Sequence, residues 1–471
     1  MPELIKTSAR EAVRLLKARE ISPLELIDAA LARIAEVEPK VNALPTLVPE
    51  RARAQAEAIM ADTTTARAHV GWLGGLPIAV KDLTEVKGVR TTWGSPIYKD
   101  HISTSNDAAV DILESRGAVV LAKSNTPEFG AGANTFNEVF GKTRNPWDTR
   151  MNCGGSSGGS AVALATGEVW LATGTDLGGS LRTPASFCSV VGLRPSPGRV
   201  ARSTGNPYDS MSVQGPMARD VADLALFMDA LCGRHAADPF SWEAPASPFQ
   251  RAAQASALPK RVAFSTDLGF LPVERETKEL IRAAADKLAA AGVIVEEAHP
   301  DLREARDIFL TIRSGAYAAR YGELYRSQKD KLKPEVQWNI EHGLTLDAAT
   351  VGRAELARGR IIQRAAKFFQ TYDLLLCPAA ACAPREVELR WVDEIEGTKL
   401  ESYLDWIAIT FATTLTGCPA ISLPCAFTRS GLPIGLQMVA PNGHEAALLS
   451  AAAAAENIFD VAKLLPIDPR S

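Results

Sequence analysis

A run of glycine and serine that is not followed by a loop constrains this chain more than any other feature. Residues 141 to 160, GKTRNPWDTRMNCGGSSGGS, offer little from which a core could be built, and taken alone they read as a flexible linker. The residues behind them reverse that reading. Ala161 to Thr166 and Glu168 to Thr173 are largely apolar, so the run feeds directly into a packed helix. A second glycine cluster, Gly174-Thr175-Asp176-Leu177-Gly178-Gly179-Ser180, lies close behind.

Around this segment the pattern is α/β. Leu76-Pro77-Ile78-Ala79-Val80 reads as a buried strand with Lys81 and Asp82 at its end; residues 108 to 117 read as a helix, and Ala118 to Ala122 as the next parallel strand. Upstream, Ser8-Ala9-Arg10-Glu11 and Ser22-Pro23-Leu24-Glu25 both have the S-x-x-E spacing of a capping box, which predicts two helices in the first forty residues. Residues 49 to 68 predict a surface helix followed by a polar loop. Downstream, DVADLALFMDALCG is a helix, residues 233 to 260 a long loop, and 261 to 297 a strand, a helix and a strand. Asp373 to Cys377 is a further strand, Pro419 to Pro424 and Gly435 to Val439 are paired strands, and Glu445 to Glu456 is an Ala-rich helix.

Composition narrows the function classes. At 471 residues, 46% hydrophobic and 23% charged, the chain has an ordinary globular make-up, and its length suits one large α/β core. The 51 Lys and Arg against 55 Asp and Glu leave no basic footprint for phosphate backbones, so no nucleic acid is expected as a partner. No apolar run reaches the roughly eighteen residues of a membrane span, and the N-terminus lacks the apolar core of a secretory signal, so a soluble cytoplasmic protein is expected. The 7 cysteines are odd in number and none forms C-x-x-C, which fits buried free thiols better than zinc or disulfides.

Candidate chemistry begins with exclusions. The 6 histidines are scattered singly, without any metal-binding spacing. Residues 136 to 143, FNEVFGKT, end like a phosphate loop but put Phe136 where the first glycine must be. The stretch Gly154 to Gly159 satisfies G-x-S-x-G with either Ser156 or Ser157 at its centre, as an α/β-hydrolase esterase would require. The preceding NPWDTRMNC cannot be a buried strand, and the needed histidine is available only by chain order.

The alternative takes Lys81, Gly154 to Ser160 and Gly174 to Arg182 together. The run GGSSGGSAVALATGEVWLATGTDLGGSLRTPASFCSVVGLRPSPGRV resembles the defining segment of the amidase signature family, and LPIAVKDL resembles its lysine strand. The similarity continues through QGPMARDVADLALFMDAL, TGCPAISLPCAF and GLPIGLQMVAP. The resemblance implies one α/β/α domain over 1–471, with a large mixed β-sheet flanked by helices on both sides; 1–70 would be N-terminal helices, 71–232 the signature core, 233–260 a loop and 261–471 the remainder. It implies Ser180 as nucleophile, Ser156 as a bridging serine on a cis peptide and Lys81 as base. The backbone of Leu177, Gly178 and Gly179 would form the oxyanion hole, with Asp176 and Arg182 pairing to hold the loop. Ser157 is either part of the hydrogen-bond network or a helix cap. Phe129, Gly130, Ala131, Gly132 and the loop Tyr208 to Met211 would border the acyl pocket, with room for a bulky or aromatic acyl group. The resemblance implies no metal and no organic cofactor, a small-molecule amide substrate, and N-terminal helices able to support a homodimer.

The chemistry of such a set is intelligible without the family. A serine hydroxyl is a weak nucleophile until a base takes its proton, and lysine can do so only when neutral. Burial at the end of an apolar strand lowers its pKa toward that state. Two further readings stand beside a free-standing amidase: the glutaminase subunit of a tRNA-dependent amidotransferase, which works in a complex, and a catalytically silent binding protein. The stretch ARSTGNPYDSMSVQGP does not look like the former's usual continuation, and the complete Lys-Ser-Ser set conflicts with the latter.

Overall fold

Successive side chains of a strand point to opposite faces of its sheet, so a strand buried at every position requires cover on both. The computed structural model, which describes residues 4–62 and 68–471, contains several such strands. One mixed sheet of eleven strands comprises β1 (Thr46–Leu47), β2 (Pro77–Lys81), β3 (Val119–Ser124), β4 (Leu171–Asp176), β5 (Val191–Arg194), β6 (Val213–Ala218), β7 (Arg261–Phe264), β8 (Ile294–Glu297), β9 (Leu374–Pro378), β10 (Ala420–Phe427) and β11 (Pro433–Val439). Their spatial order is β1-β3-β2-β4-β6-β5-β10-β11-β9-β7-β8. Strands β2, β3, β5, β6, β9 and β11 are buried throughout, so helices or loops cover both faces of the sheet there. Strand β2 lies parallel to β3 and β4, which puts the ends of all three, Lys81, Ser124 and Asp176, on one edge.

The N-terminal helices α1 (Ala9–Ala18) and α2 (Pro23–Val41) start where the capping serines predict. Only Ser22 closes the full reciprocal box; at Ser8 the return bond is missing because Arg14 draws the Glu11 carboxylate away. Helix α3 (Pro49–Ala61) follows, and most of the polar loop expected after it falls on residues 63–67, outside the described residues. Then come α4 (Ala108–Ser115), α5 (Gly158–Thr166), α6 (Arg182–Cys188) and α7 (Val221–Leu231).

One local expectation needs correction. The segment 233–260, expected as a loop, contains α8 (Phe249–Ala255), whose first N–H groups, those of Phe249 and Gln250, donate to the carboxylate of Asp229 at 2.7 and 3.1 Å. That cap comes from α7, twenty residues upstream of Phe249, and no local pattern reveals it. Asp148–Asn152 does form a strand, paired with Arg144–Asn145 in a separate ribbon and mostly not buried, so it is not the buried strand an elbow needs. After α9 (Arg275–Ala290), the helices α10 (Ala305–Gln328), α11 (Pro334–Leu344) and α12 (Ala348–Phe368) form a block that no apolar stripe in the sequence announces; α13 (Ala408–Thr414) and α14 (Glu445–Phe459) complete the set.

The glycine and serine run is packed structure. Every residue of α5 is buried, and a Cβ added to Gly159 would lie 2.3 Å from the backbone nitrogen of Asn125, so only glycine lets α5 approach the end of β3. All seven cysteines are buried and unbridged. Among the described residues no helix is long and apolar enough to cross a membrane.

Candidate active site

Two buried lysines stand at neighbouring strand ends, and their surroundings differ. On β3, Lys123 Nζ is ion-paired with Asp82 at 3.2 Å and donates to Thr84 O and Thr91 Oγ1. On β2, Lys81 Nζ has only hydroxyls: Ser156 Oγ at 2.7 Å, Ser157 Oγ at 2.9 Å and Thr175 Oγ1 at 2.9 Å. Burial drives the pKa of Lys81 well below the ordinary lysine value, and the nearby Asp176 carboxylate only partly opposes it.

Asp176 cannot serve as the counter-ion of Lys81 because it is already taken. Arg182 grips it with two bonds, Nε to Oδ2 at 3.0 Å and Nη2 to Oδ1 at 2.9 Å, and Arg194 Nη1 approaches the same Oδ1 at 3.4 Å. Burial alone would raise the Asp176 carboxyl, but the two guanidiniums outweigh it and hold the group below the usual carboxylate range. Arg182 reaches onward to Thr410 O, Thr413 Oγ1, Thr414 Oγ1 and Gln437 Oε1, tying the loop before α6 to α13 and β11. The expected pairing of Asp176 with Arg182 is present, and neither side chain is accessible to solvent. Replacing Arg182 by Met leaves Asp176 buried without its main partner and is expected to cost about 3–5 kcal/mol, measurable by urea unfolding.

The same carboxylate shapes the turn that carries Ser180. Its Oδ1 accepts the Gly179 N–H at 2.9 Å and its Oδ2 the Leu181 N–H at 3.1 Å. Of the three N–H groups expected in an oxyanion hole, that of Gly179 is therefore occupied, while those of Leu177 and Gly178 have no acceptor among the described residues, nor does that of Ser180. Gly179 itself has φ +120°, and a Cβ there would lie 2.2 Å from Thr410 Oγ1.

Ser156 follows a cis peptide at Gly155-Ser156, in the turn that opens α5. Ser157 stands at the cap position of α5 but makes no side-chain cap; its hydroxyl is drawn instead to Lys81 and to the backbone of Thr175. Its N–H donates to the carbonyl of Ser180 at 3.2 Å, joining the two glycine clusters directly.

Ser156 and Ser180 open onto one cavity of about 530 Å³. Phe129, Gly130 and Leu177 line it; Ala131, Gly132 and Met211 do not. Ala131 is packed in a small apolar cluster, Met211 is buried in the core beneath α10, and Gly132 faces the Lys333 ammonium, 2.9 Å from where a Cβ would stand. Tyr208 is exposed and packs on Phe240. No histidine lines the cavity, which leaves an elbow serine without its base. Cys153 is no rival nucleophile, because burial pushes its thiol up to about 12. Sequence reasoning missed Thr175, Trp93 and the α10 residues Arg313, Tyr317, Arg320 and Tyr321, although the last four recur at helical spacing.

The family model described as Amidase matches residues 25–449. An acylamidase of Rhodococcus erythropolis is 34% identical over 474 residues, covering 98% of this chain and 97% of the relative. A glutamyl-tRNA(Gln) amidotransferase subunit from Cyanothece sp. is 34% identical over 458 residues, covering 92% of this chain and 94% of the relative. In structure, a bacterial aryl acylamidase of the amidase signature family superposes with a TM-score of 0.89 at 26% identity, covering 98% of this chain and 99% of the other. The match spans both glycine clusters and the lysine strand whose side chains meet around Lys81, and on that footing the chain belongs to the amidase signature family, the hydrolases of amide carbon–nitrogen bonds.

Proposed function

We propose that this chain works as a free-standing amidase, forming an acyl-enzyme on Ser180 with Ser156 as proton relay and Lys81 as base. The observation that carries the reading is a buried lysine amine surrounded by three hydroxyls and no ion-paired carboxylate. A neutral amine has two N–H groups and one lone pair, so among three hydroxyl neighbours one must donate to it. The Ser157 hydroxyl has the Thr175 carbonyl as acceptor at 3.4 Å. Ser156 is then the natural donor to Lys81, at the shortest distance of the three.

In the forward direction Ser180 Oγ attacks the substrate carbonyl carbon as its proton passes to Ser156, whose own proton passes to Lys81. The carbonyl oxygen becomes an oxyanion, for which the free N–H groups of the 177–180 turn are the available donors. Collapse returns the proton through Ser156 to the leaving nitrogen, releasing an amine and leaving an ester on Ser180. Water repeats the sequence to free the carboxylic acid.

The cavity supports a sizeable acyl or amine group: Trp93, Phe129 and Tyr321 wall it, with Phe129 stacked on Tyr321 at 4.3 Å between ring centres. An acylamidase or aryl acylamidase type of substrate suits these walls. The amidotransferase reading is the second, favoured by a relative of equal identity; glutamine hydrolysis and co-purification with a partner chain would support it. The deciding experiment is peptide mapping after phenylmethylsulfonyl fluoride, alongside hydrolysis of a 4-nitroanilide and its matching 4-nitrophenyl ester. Labelling at Ser180 with loss of both activities is expected; labelling at Ser156 or Ser157 with Ser180 untouched would overturn the assignment.

A further inference from the structure

Helix α10 runs along the cavity and contributes a cation that the proposed chemistry does not use. Arg313 is only 6% exposed, yet every partner it has is neutral: Nε donates to Asn339 Oδ1 at 3.1 Å, and Nη2 donates to the hydroxyls of Tyr317 and Tyr403, both at 3.1 Å. Among the described residues no carboxylate pairs with it, and its Nη1 has no acceptor. The other deeply buried arginines near the site are answered differently, Arg182 and Arg194 sharing Asp176. Taking a guanidinium out of water without a counter-ion is costly, and neutral hydrogen bonds offset only part of that cost.

The rest of the cavity adds to the imbalance. Arg202 and Asp209 lie 3.6 Å apart, and Asp209 is further occupied by the N–H groups of Met211 and Ser212. Arg320, two turns along α10 from Arg313, also lines the cavity and forms no ion pair among the described residues. Two positive charges thus face a space that also contains Ser180, with the apolar walls Trp93, Phe129 and Tyr321 around it. An open guanidinium edge is the natural partner of a carboxylate, because its N–H groups match the two oxygens.

We propose that the substrate of this site is an amide that itself carries a carboxylate, bound by Arg313 with assistance from Arg320, its apolar body lying against the aromatic wall. The inference rests on the reading of Ser180 as the acylated residue and specifies which amides reach it. The carboxylate can belong to the acyl or to the amine half, and matched substrates separate the two. On the acyl side the pair is glutaryl-4-nitroanilide and valeryl-4-nitroanilide; on the amine side it is 4-acetamidobenzoate and 4-methylacetanilide.

The expected result is that in one pair the carboxylated member has the higher kcat/KM by about tenfold or more, the usual worth of a charged hydrogen bond. Arg313→Met should bring that ratio near unity, Arg313→Lys should recover part of it, and Arg320→Gln should lower it less. Because Arg313 also holds α10 to Asn339 and Tyr403, Arg313→Lys and Arg320→Gln guard against a simple folding defect. A separate readout needs no turnover: glutarate should slow labelling of Ser180 by phenylmethylsulfonyl fluoride, uncharged glutaramide should not, and Arg313→Met should lose the difference. A ratio of unity in both pairs with the wild type, an unchanged ratio in Arg313→Met, or equal protection by glutarate and glutaramide overturns the inference. If Ser180 is labelled and neutral anilides are hydrolysed, those outcomes leave the amidase reading standing; an unlabelled Ser180 removes both.

Discussion

Replacing Lys81 by Met is expected to lower kcat/KM by about 10³–10⁴ without unfolding the protein. The amine is fully buried and its bonds run to three hydroxyls, so its removal takes away the proposed base while creating no unpaired charge. Lys81→Arg should not restore activity, since a guanidinium does not give up its proton in this pH range. Only the neutral amine accepts a proton, so wild-type activity should rise with pH through the lowered pKa of Lys81 and then level off, whereas the residual activity of Lys81→Met should lack that rise. Stability follows the same group. Between its depressed folded value and the 10.5 of the unfolded chain, the unfolded state binds a proton that the folded state does not, so wild-type stability should increase with pH across that window. The Met variant should lose this slope, which urea unfolding at neutral and alkaline pH would measure. A Lys81→Met protein with wild-type turnover would remove Lys81 from the mechanism.

Lys81 is legible in the sequence while much of its surroundings is not. Lys81 ends an unbroken apolar strand, and a charge there is conspicuous against Pro77-Ile78-Ala79-Val80. The glycine clusters are legible because runs of residues too small to fill a core only make sense where backbones approach closely, as Gly159 does against Asn125. The third hydroxyl on Lys81, that of Thr175, gives no such signal, since a threonine inside a strand is unremarkable until its neighbour across the sheet is known.

Helix α10 escapes for a different reason. Its buried face carries Arg313 and Tyr317 as well as apolar side chains, and Tyr317 is placed by its hydroxyl, which donates to the Phe129 carbonyl at 2.8 Å. A search for apolar stripes weighs such residues as surface. Helix α8 is hidden because its cap is an aspartate from another helix. Both failures involve polar side chains whose partners are distant in sequence, and for the same reason the polar half of the cavity is harder to read than the surroundings of Lys81.

Ser180→Ala should cost more than any other single change, on the order of 10⁶ in turnover, because the residual rate then rests on binding and oxyanion donors alone. The fold should be indifferent to it. Ser180 Oγ has no hydrogen-bond partner among the described residues, so its removal leaves nothing unpaired, and thermal unfolding should match the wild type. Ser156→Ala separates relay from nucleophile. Lys81 keeps Ser157 and Thr175, but the proton path at 2.7 Å is lost, and the leaving amine of an anilide can no longer be protonated from it. A nitrophenolate leaves without a proton, so Ser156→Ala should lose more activity on the 4-nitroanilide than on the 4-nitrophenyl ester. Ser180→Ala should lose both alike, because without the nucleophile neither acyl-enzyme forms. Equal losses on ester and anilide in Ser156→Ala would mean that Ser156 only positions Lys81, and substantial turnover in Ser180→Ala would place the nucleophile elsewhere.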